Sequence, residues 1–422
     1  MLKVLYSFLI ILFYLPYLVF VFYRKIINKE HATKFKEKIL PKKIVRPEGY
    51  LFWFHAASIG ELNTIFPIID FFLNKDKKLN FLITTVTLSS YNLFKKKYGK
   101  NNKVFHQFLP YDSNILINNF FKYWKPNVIT FVDSEIWPNF FLKIKNNNLP
   151  LILLNARLTK KTFKRWKIFK TFASEIFSSI KVSICSNKET VDHLAYFNLK
   201  NVKYFGNIKY CSNLQNINSG KNLKNNIEEN NKIWCAISTH PDEEIFCAEV
   251  HEILKKTYKK VKTIIVPRHI NRIKDIYFVM NKMGLKTQIK NENDSIDEKS
   301  EIILINYYGS VFKYYENFKQ IFIGKSILKK FKNDGGQNPI DAARMGCLIY
   351  HGPYVSNFRD IYQYLDNENI SNYIDNKNVL AEKLIENFNS NLTKDKKKID
   401  KLNNYSNEIF HKVIKEYENI IA

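Results

Sequence analysis

Short, continuously apolar segments alternate with helical segments twice along this chain, and this alternation limits the possible folds more than any other feature. Five runs in the first half are rich in Val, Ile, Phe and Leu, at residues 50–55, 80–85, 127–132, 149–154 and 182–186. Five similar runs follow in the second half, at residues 233–237, 263–266, 302–305, 320–323 and 347–350. Helical patterns lie between them, for example at residues 61–73, 89–98, 113–123, 241–258, 271–283 and 339–345. Uninterrupted apolar strands separated by helices predict an α/β fold with a parallel sheet in each half.

The two halves are separated by residues 213–231, which are rich in Asn, keep only scattered Leu and Ile, and contain no aromatic residue. This composition predicts a linker. We therefore predict one Rossmann-like domain at residues 26–212 and a second at residues 232–422, which includes a Lys-rich helical tail. Two such domains would face a cleft, since ligands of open parallel sheets bind where loops leave the carboxyl ends of the strands.

The amino terminus carries an uncharged run of twenty residues, 4–23. As a helix it would be about 30 Å long, which matches the hydrocarbon core of a bilayer. Many basic residues follow the run, at positions 24–46, whereas only Lys3 precedes it. Because basic residues flank the cytoplasmic end of a membrane helix, an anchor at residues 1–25 would leave the rest of the chain in the cytoplasm. A cleaved signal peptide fits less well, because the run is long and lacks a small-residue cleavage site. Pro16 is compatible with a spanning helix and with one that dips into a single leaflet.

The chain has 66 Lys and Arg against 39 Asp and Glu, a formal charge of +27. Nucleic acid, an anionic membrane or phosphorylated substrate, and a compositional bias toward Lys and Asn could each account for this excess. Lys is spread along the whole chain and no nucleic-acid-binding motif is present, which places nucleic acid last. The five cysteines form no CxxC pair, which indicates buried free thiols rather than disulfides or a zinc site.

The most informative motif is FWFHAASIGE, at residues 52–61. A buried strand ends in small residues, Ser58 and Gly60 form a tight turn, and Glu61 opens a helix. The positive end of the helix dipole favours an ionised carboxylate there, and such a carboxylate could take a proton from an attacking sugar hydroxyl. The alternative is that Glu61 only complements the helix dipole, as first-turn glutamates commonly do.

Two further strands of the first half end in charged residues. The segment VDSEIWPNF places Asp133 and Glu135 after one strand, where Glu135 either positions a substrate hydroxyl or is a surface carboxylate. The next strand ends in LLNARL, and Arg157 suits a carboxylate or phosphate as a bidentate partner. Arg157 could also pair with Glu135 or Asp133, and the two roles are compatible.

In the second half, Ser238, Thr239 and His240 precede a proline, predicted at the first helical position, and a run of acidic residues. This is a clear helix start that by itself requires only capping. The next strand ends in VPRH, which places Arg268 beside His269 and suits an anion.

Farther along, Gly335 and Gly336 precede a short helix in the segment GGQNPIDAA. The glycines would let the backbone approach a ligand, and the helix amino terminus would offer free N–H groups to a phosphate. The alternative is that Asn338 is only an N-cap, with Asp341 as its N3 companion.

Taken together, these segments resemble the bacterial transferases that attach 3-deoxy-D-manno-octulosonic acid (Kdo) to lipid A precursor in lipopolysaccharide synthesis. The matching segments are, in order, HAASIGE, ITTVT, LPYD, DSEIWPN, NARL, GNIKY, STHPDEE, VPRH, GGQNPIDAA and GPYVSNFRD. They extend over nearly the whole chain. The resemblance implies a GT-B fold, in which two Rossmann-like domains face a cleft, here with an amino-terminal membrane-anchor helix. It also implies inverting transfer of Kdo from CMP-Kdo to lipid A precursor.

The resemblance implies residue roles as well. Glu61 would be the general base, and Glu135 a second required acid that positions the donor or acceptor. The CMP site would be lined by Ser238, Thr239, Arg268, Gly336 and Asn338. Further substrate contacts would come from Ser58, Gly60, Arg157, Lys209, His240, Gly335, Asp341 and Asn357. Three positions depart from the family pattern, with Gln337 in place of His, Asp341 in place of Glu, and Lys325 in place of Gly.

No cofactor and no metal is expected, because CMP leaves with one phosphate that Arg and helix N–H donors can stabilise. The expected partners are CMP-Kdo, lipid A precursor and anionic lipids of the bacterial inner membrane, with the catalytic domains on the cytoplasmic face and no specific nucleic acid. Two alternatives stay open. One is a membrane-associated GT-B glycosyltransferase with a different nucleotide-sugar donor, and the other is an inactive scaffold that binds lipid.

Overall fold

Each half of the chain folds around a seven-stranded parallel sheet, as the alternation of segments predicts. The computed structural model describes residues 2–40, 46–211, 232–309, 311–390 and 396–421. Unit 1 comprises Met1–Asn213 together with Ser406–Ala422, and unit 2 comprises Leu214–Tyr405. The predicted linker, residues 213–231, lies outside the described residues.

The strands of unit 1 are β1 (Leu51–His55), β2 (Asn80–Thr85), β3 (Val104–Phe108), β4 (Val128–Val132), β5 (Leu151–Ala156), β6 (Ile180–Cys185) and β7 (Val202–Lys203). Their order in the sheet is β3-β2-β1-β4-β5-β6-β7, and every neighbouring pair is parallel. The five predicted strands are confirmed. Strand β3 was not predicted because His106 and Gln107 interrupt its apolar run, and β7 is only two residues long. The order reverses between β1 and β4, which makes their carboxyl ends the switch point of the sheet.

The helices of unit 1 are α1 (Leu2–Leu12), α2 (Tyr14–Ile26), α3 (Ile59–Lys75), α4 (Leu88–Tyr98), α5 (Asn114–Trp124), α6 (Pro138–Asn146), α7 (Lys160–Ile168), α8 (Lys170–Phe177) and α9 (Lys188–Tyr196). Several begin directly after a strand with a side chain that accepts a backbone N–H of the first turn. These N-caps are Ser58, Thr87, Ser113, Thr159 and Asn187. Such caps fix where each helix starts, so the residues at the strand-to-helix turns have defined positions.

The strands of unit 2 are β8 (Ile233–Thr239), β9 (Lys262–Pro267), β10 (Thr287–Lys290), β11 (Ile302–Ile305), β12 (Gln320–Ile323), β13 (Leu348–His351) and β14 (Ser371–Tyr373). The parallel order is β10-β11-β9-β8-β12-β13-β14, with the reversal between β8 and β12. The helices are α10 (Glu243–Thr257), α11 (Ile273–Lys282), α12 (Val311–Asn317), α13 (Ile340–Arg344), α14 (Arg359–Asn367) and α15 (Lys377–Asn389), and the last helix, α16 (Lys396–Ile421), begins in unit 2 and continues in unit 1. The five predicted strands are again confirmed, while β10 and β14 were not predicted.

The carboxyl-terminal tail differs from the prediction, which assigns it to the second domain. From Ser406 onward, α16 packs in unit 1. Tyr417 is fully buried there, with its ring about 6.0 Å from those of Phe54 and Phe72 and its hydroxyl 3.0 Å from the Thr130 hydroxyl. Burial of this aromatic ring stabilises the placement in unit 1. The helical spacing of the apolar residues in the tail shows that one face is buried, but it does not show against which domain.

The amino-terminal apolar run forms two helices rather than one. No single helix in the described part of the chain is long and apolar enough to cross a membrane, whereas α1 and α2 together meet that length and composition with a bend of 44° between them. Pro16 follows the break, and a proline cannot donate a hydrogen bond to the carbonyl four residues earlier, here Leu12.

Candidate active site

The carboxyl ends of β1 and β4 bring together the acidic residues predicted from the sequence. Glu61 lies in the first turn of α3, shortly after β1, while Asp133 and Glu135 follow β4. Because β1 and β4 are neighbours, the residues that follow them share one edge of the unit 1 sheet. The negative charges of Asp133 and Glu135 both act on Glu61. The three carboxylates therefore form one group at the switch point, where ligands of such sheets bind.

Glu61 is buried, and hydrogen bonds hold both of its oxygens. Oε2 accepts from the Ala57 N–H at 2.7 Å, and Oε1 accepts from the Ser58 hydroxyl at 2.8 Å. Burial raises the pKa of Glu61 above its ordinary value of 4.5; the Ser58 and Ala57 hydrogen bonds oppose this, and the charges of Asp133 and Glu135 add to it. A raised pKa makes the carboxylate a stronger base. The capping role and the role of base are both compatible with this geometry.

Glu135 is held by two ring N–H groups on one oxygen. Its Oε2 lies 3.4 Å from Nε2 of the fully buried His55 and 3.0 Å from Nε1 of Trp137. An ionised carboxylate only accepts hydrogen bonds, so both rings donate. Burial by itself raises the pKa of Glu135, but the interactions with His55 and Trp137 outweigh it and leave the pKa below its ordinary value. The side chain remains 26% exposed, and Oε1 accepts no hydrogen bond from the described residues, which leaves it available to a substrate hydroxyl.

Asp133 connects the acidic group to residues from two other segments. Its Oδ2 lies 3.3 Å from Nζ of Lys209, and its Oδ1 accepts from Nδ2 of Asn155 at 2.9 Å. Its backbone carbonyl accepts from the Arg157 N–H at 3.3 Å. Asp133 and Asn155 have left-handed backbones, with φ of 58° and 54°. Non-glycine residues in this region cost energy and cluster at functional sites.

In unit 2, the switch point between β8 and β12 carries a group of cationic residues around His240. Burial, and the positive charges of four neighbours, lower the pKa of His240 to about 4; the neighbours are Lys325, His269, Arg268 and Arg272. His240 is therefore neutral near pH 7, and its Nε2 lies 3.1 Å from Nε2 of Gln337, which donates to it. Arg268 is exposed. A concentration of positive charge at the carboxyl ends of these strands suits an anionic ligand.

One buried carboxylate fixes the loop after β12. Oε1 of Glu243 accepts from the N–H groups of Ser326 and Ile327 at 2.9 and 3.3 Å, and Oε2 accepts from those of His240 and Lys325 at 3.0 and 2.6 Å. Glu243 is fully buried; burial raises its pKa, and the four hydrogen bonds oppose the rise. Glu243 thus joins the end of β8 to the loop after β12, and both segments carry predicted donor-site residues.

The two glycines of the segment GGQNP are required by the protein's own backbone. A Cβ on Gly335 would lie 2.1 Å from the Tyr354 carbonyl oxygen. Gly336 has φ of 93°, and its N–H donates to the Lys325 carbonyl at 2.7 Å. The Asn357 N–H donates to the Gly335 carbonyl at 2.9 Å. These contacts give both glycines and Asn357 a structural role, and contact with a ligand stays a prediction.

Comparison with known proteins decides the family. The family model for 3-deoxy-D-manno-octulosonic-acid transferase (kdotransferase) matches residues 28–212. A probable mitochondrial 3-deoxy-D-manno-octulosonic acid transferase of Arabidopsis thaliana is 30% identical over 359 residues, which cover 82% of this chain and 78% of that protein. A 3-deoxy-D-manno-octulosonic acid transferase of Rickettsia bellii is 29% identical over 358 residues, which cover 85% and 84%. The chain belongs to the Kdo transferase family.

The fold of this Kdo transferase is the predicted GT-B fold. A glycosyltransferase from Rickettsia africae superposes with a TM-score of 0.58 at 13% identity, over 89% of this chain and 99% of that one. At this identity the likeness concerns the fold alone. It agrees with the two parallel sheets and confirms the GT-B fold.

In the Kdo transferase, one predicted helix start is wrong and a second lies one residue later than expected. Pro241 is not the first residue of α10, because Asp242 behind it has a left-handed backbone with φ of 74° and is the N-cap. A residue with that backbone cannot continue a right-handed helix. The N-cap of α13 is Pro339 rather than Asn338, although the Asn338 Oδ1 accepts from the Ile340 N–H at 3.1 Å. The Asn338 side chain therefore still accepts a backbone N–H of the first turn, although the helix starts one residue later.

Three other predicted donor-site residues of unit 2 are Thr239, Ser238 and Asp341. The buried Thr239 hydroxyl donates to Glu244 at 2.9 Å, and Glu244 forms a bidentate pair with Arg272 at 3.1 and 3.0 Å. Ser238 has a left-handed backbone, with φ of 58°. Asp341 lies in α13, and burial raises the pKa of its carboxyl.

His55 is the residue of this site that the sequence did not single out. Strand register places it beside Thr84 on β2, and its Nδ1 lies 3.0 Å from the Thr84 hydroxyl. The oxygen of that hydroxyl accepts from Nε1 of Trp53 at 2.8 Å. The histidine ring is therefore fixed on both nitrogens, with Nε2 directed at Glu135. The sequence shows only that His55 ends a buried strand. That position does not identify Glu135, which follows β4, as its partner.

Replacing His55 with phenylalanine is expected to lower Kdo transfer by roughly 10- to 100-fold, because Glu135 loses a donor that fixes its position. The measurement is the steady-state rate at saturating and limiting acceptor. His106→Phe is the matched control, since His106 is a buried histidine on β3 that bonds Thr85 at 2.9 Å, away from the carboxylates. Equal losses of transfer in the two variants would show that His55 contributes only to the core.

Proposed function

We propose that this Kdo transferase moves Kdo from CMP-Kdo to the lipid A precursor of lipopolysaccharide, with inversion at the anomeric carbon, at the cytoplasmic face of the inner membrane. Glu61 takes the proton of the attacking acceptor hydroxyl while that oxygen bonds to the anomeric carbon. The bond from this carbon to the CMP phosphate breaks, and CMP leaves with the electron pair. Kdo ends on the acceptor, and the proton ends on Glu61.

The observation that carries this proposal is the pair of carboxylates with opposite pKa shifts at the switch point of unit 1. Burial raises the pKa of Glu61, while His55 and Trp137 lower that of Glu135. Separate environments of this kind give two carboxylates different roles. Glu61 is suited to accept a proton, and Glu135 stays ionised and can accept a hydrogen bond from a substrate hydroxyl through Oε1.

The cationic group of unit 2 supports a donor with an anionic leaving group. Arg268 and Lys325 lie at the ends of β9 and β12, next to the neutral His240. CMP leaves with a single phosphate, which positive side chains and N–H donors can stabilise. The proposed step therefore requires no metal ion and no cofactor.

The test of the donor and acceptor is a transfer assay with the full chain in membranes. Incubation with CMP-Kdo and lipid A precursor is expected to release CMP and to increase the mass of the lipid by the mass of Kdo. Turnover with a UDP- or GDP-sugar but not with CMP-Kdo would overturn the donor assignment. Absence of turnover with every donor would favour the inactive scaffold.

Arg268→Ala is expected to weaken CMP binding by roughly tenfold, since a charge-assisted hydrogen bond to phosphate is lost. Isothermal calorimetry with CMP and the full chain measures the change. The control is Lys274→Ala, which removes an exposed cation from the adjacent α11. Equal affinities of the two variants would contradict a phosphate contact at Arg268 and indicate only a general effect of positive charge.

A further inference from the structure

Polar side chains near the amino-terminal end of helix α1 attach it to the rest of unit 1. The Tyr6 hydroxyl donates to Oδ2 of the buried Asp112 at 2.7 Å, and the Ser7 hydroxyl donates to Oδ1 of Asn139 at 3.0 Å. Asp112 also accepts the N–H groups of Asn139 and Phe140 at 3.1 and 3.0 Å, at the start of α6. Tyr6 therefore joins a buried polar network of the domain.

The rest of the helix pair contacts unit 1 up to its carboxyl end. The Tyr111 hydroxyl donates to the Ile10 carbonyl at 3.1 Å, and the rings of Tyr17 and Tyr111 stack with centroids 4.4 Å apart. Toward the end of α2, the buried Val21 packs against Phe35 and Ile39, and Nε of Arg24 donates to Oε1 of Glu30 at 2.7 Å. The contacts thus extend over the length of both helices.

This pattern of contacts does not fit a helix that crosses a bilayer. A spanning helix of about twenty residues separates its two ends by about 30 Å of hydrocarbon. A domain in water can then touch only one of those ends. Helices α1 and α2 touch unit 1 near both ends and in between, and the bend of 44° after Leu12 lets the pair follow the surface of the domain.

The face of α1 and α2 that points away from unit 1 is apolar. Its large side chains each have more than half of their surface exposed: Val4, Phe8, Ile11, Leu12, Phe13, Leu15, Val19, Phe20, Tyr23 and Ile26. A contiguous exposed apolar face of this kind is typical of a surface that binds a partner or a membrane.

The surface beside this face is basic. The ring of Phe172 on α8 lies 6.1 Å from that of Tyr6 on α1, and Ile168 and Phe169, directly before α8, are 74% and 48% exposed. The preceding helix α7 contains no acidic residue and carries a row of exposed cations, Lys160, Lys161, Lys164, Arg165 and Lys167. A second copy of this chain would place like charges against each other, whereas a leaflet of anionic lipid provides both acyl chains and negative headgroups.

We propose that α1 and α2 lie within one leaflet of an anionic membrane, parallel to its surface, and that α7 lies against the headgroups. The amino terminus and unit 1 are then on the same side of the membrane. This inference goes beyond sugar transfer and does not depend on which sugar is moved. It makes the apolar run at residues 4–23 a single-leaflet anchor. The sequence alone was equally compatible with a spanning helix.

The side of the membrane on which the amino terminus lies tests the proposal. An epitope is placed before Met1 of the full chain, and a protease is added to inverted inner-membrane vesicles, whose cytoplasmic face is outside. We expect digestion of the epitope without detergent, as for the same epitope placed after Ala422. Protection until detergent is added would show a spanning helix and overturn the proposal. A chain that does not sediment with membranes would overturn it as well.

Charged substitutions on the outward face provide a second test. The variant Ile11→Asp/Val19→Asp is expected to lower binding to vesicles of phosphatidylethanolamine and phosphatidylglycerol by at least about tenfold. The matched control is Phe278→Asp, because Phe278 is 69% exposed on α11 of unit 2. Unchanged binding of the double variant, or equal losses in both, would contradict the proposal. The epitope experiment uses the native helices and stays decisive if the double variant does not fold.

Discussion

Glu61→Gln is expected to lower Kdo transfer by roughly 10²- to 10⁴-fold and to leave unit 1 folded. Glutamine cannot take the proton, but it can keep both hydrogen bonds of the carboxylate. Its oxygen can accept from the Ala57 N–H, and its amide can donate to the Ser58 hydroxyl, whose own hydrogen can turn away. Initial rates of transfer and the Tm of the variant measure the two expectations.

The raised pKa of Glu61 gives this variant a predictable stability. Because burial raises the pKa, the folded protein binds this proton more tightly than the unfolded chain does. The contribution of the group to stability is therefore largest at low pH and is lost as the pH rises through the folded pKa. At neutral pH the ionised carboxylate costs stability that a glutamine does not, so Glu61→Gln is expected to keep or raise the Tm.

Transfer by the native protein is expected to depend on pH in the opposite sense. The base must be deprotonated, so kcat/KM falls as the pH decreases through the raised pKa of Glu61. This decline lies at higher pH than that of an ordinary glutamate near 4.5, and it should be missing from the residual rate of Glu61→Gln.

The control for Glu61 is Glu189→Gln. Glu189 lies in the first turn of α9, which follows β6 as α3 follows β1, but its side chain is 57% exposed. Its replacement is expected to leave transfer unchanged. Full transfer by both variants would show that Glu61 acts only as a helix cap, and another group would have to take the proton.

The placements that the sequence predicted correctly are those that depend on local structure. Glu61 follows a strand and a serine cap, and Glu135 follows a strand. The apolar run of each strand and the residues of the turn after it are therefore sufficient to place both glutamates at strand ends. The sequence also indicates that Arg268 ends a strand. These predictions need only the fact that β1, β4 and β9 are parallel strands.

The interactions that the sequence could not predict depend on strand order and register. His55 reaches Glu135 because β2, β1 and β4 are adjacent, in a register that pairs His55 with Thr84 and with Phe131. Tyr417 is buried on unit 1 although the chain passes through unit 2 before it. The sequence around His55 or Tyr417 does not predict these contacts, because they join segments that are far apart in the chain.

Glu243→Gln is expected to destabilise unit 2 by about 2–4 kcal/mol. Glu61→Gln is not expected to destabilise unit 1, although in both variants a glutamine of nearly the same shape replaces the glutamate. Each oxygen of Glu243 accepts from two backbone N–H groups. A glutamine amide has to point its own N–H₂ at one of these pairs, and backbone N–H groups cannot reverse as a hydroxyl can. Two buried N–H groups therefore lose their acceptor in either orientation of the amide.

The buried thiols of the native chain report which unit is affected. Cys235 on β8 and Cys247 on α10 lie in unit 2, whereas Cys185 on β6 lies in unit 1. Glu243→Gln is expected to accelerate labelling of the first two thiols and to leave Cys185 unchanged, because opening is local to the weakened unit. Glu252→Gln, on the exposed face of the same helix, is the control and should change no labelling rate. Unchanged labelling in Glu243→Gln would mean that the loop after β12 keeps its position without this carboxylate, and the donor-site residues it carries would then need another support.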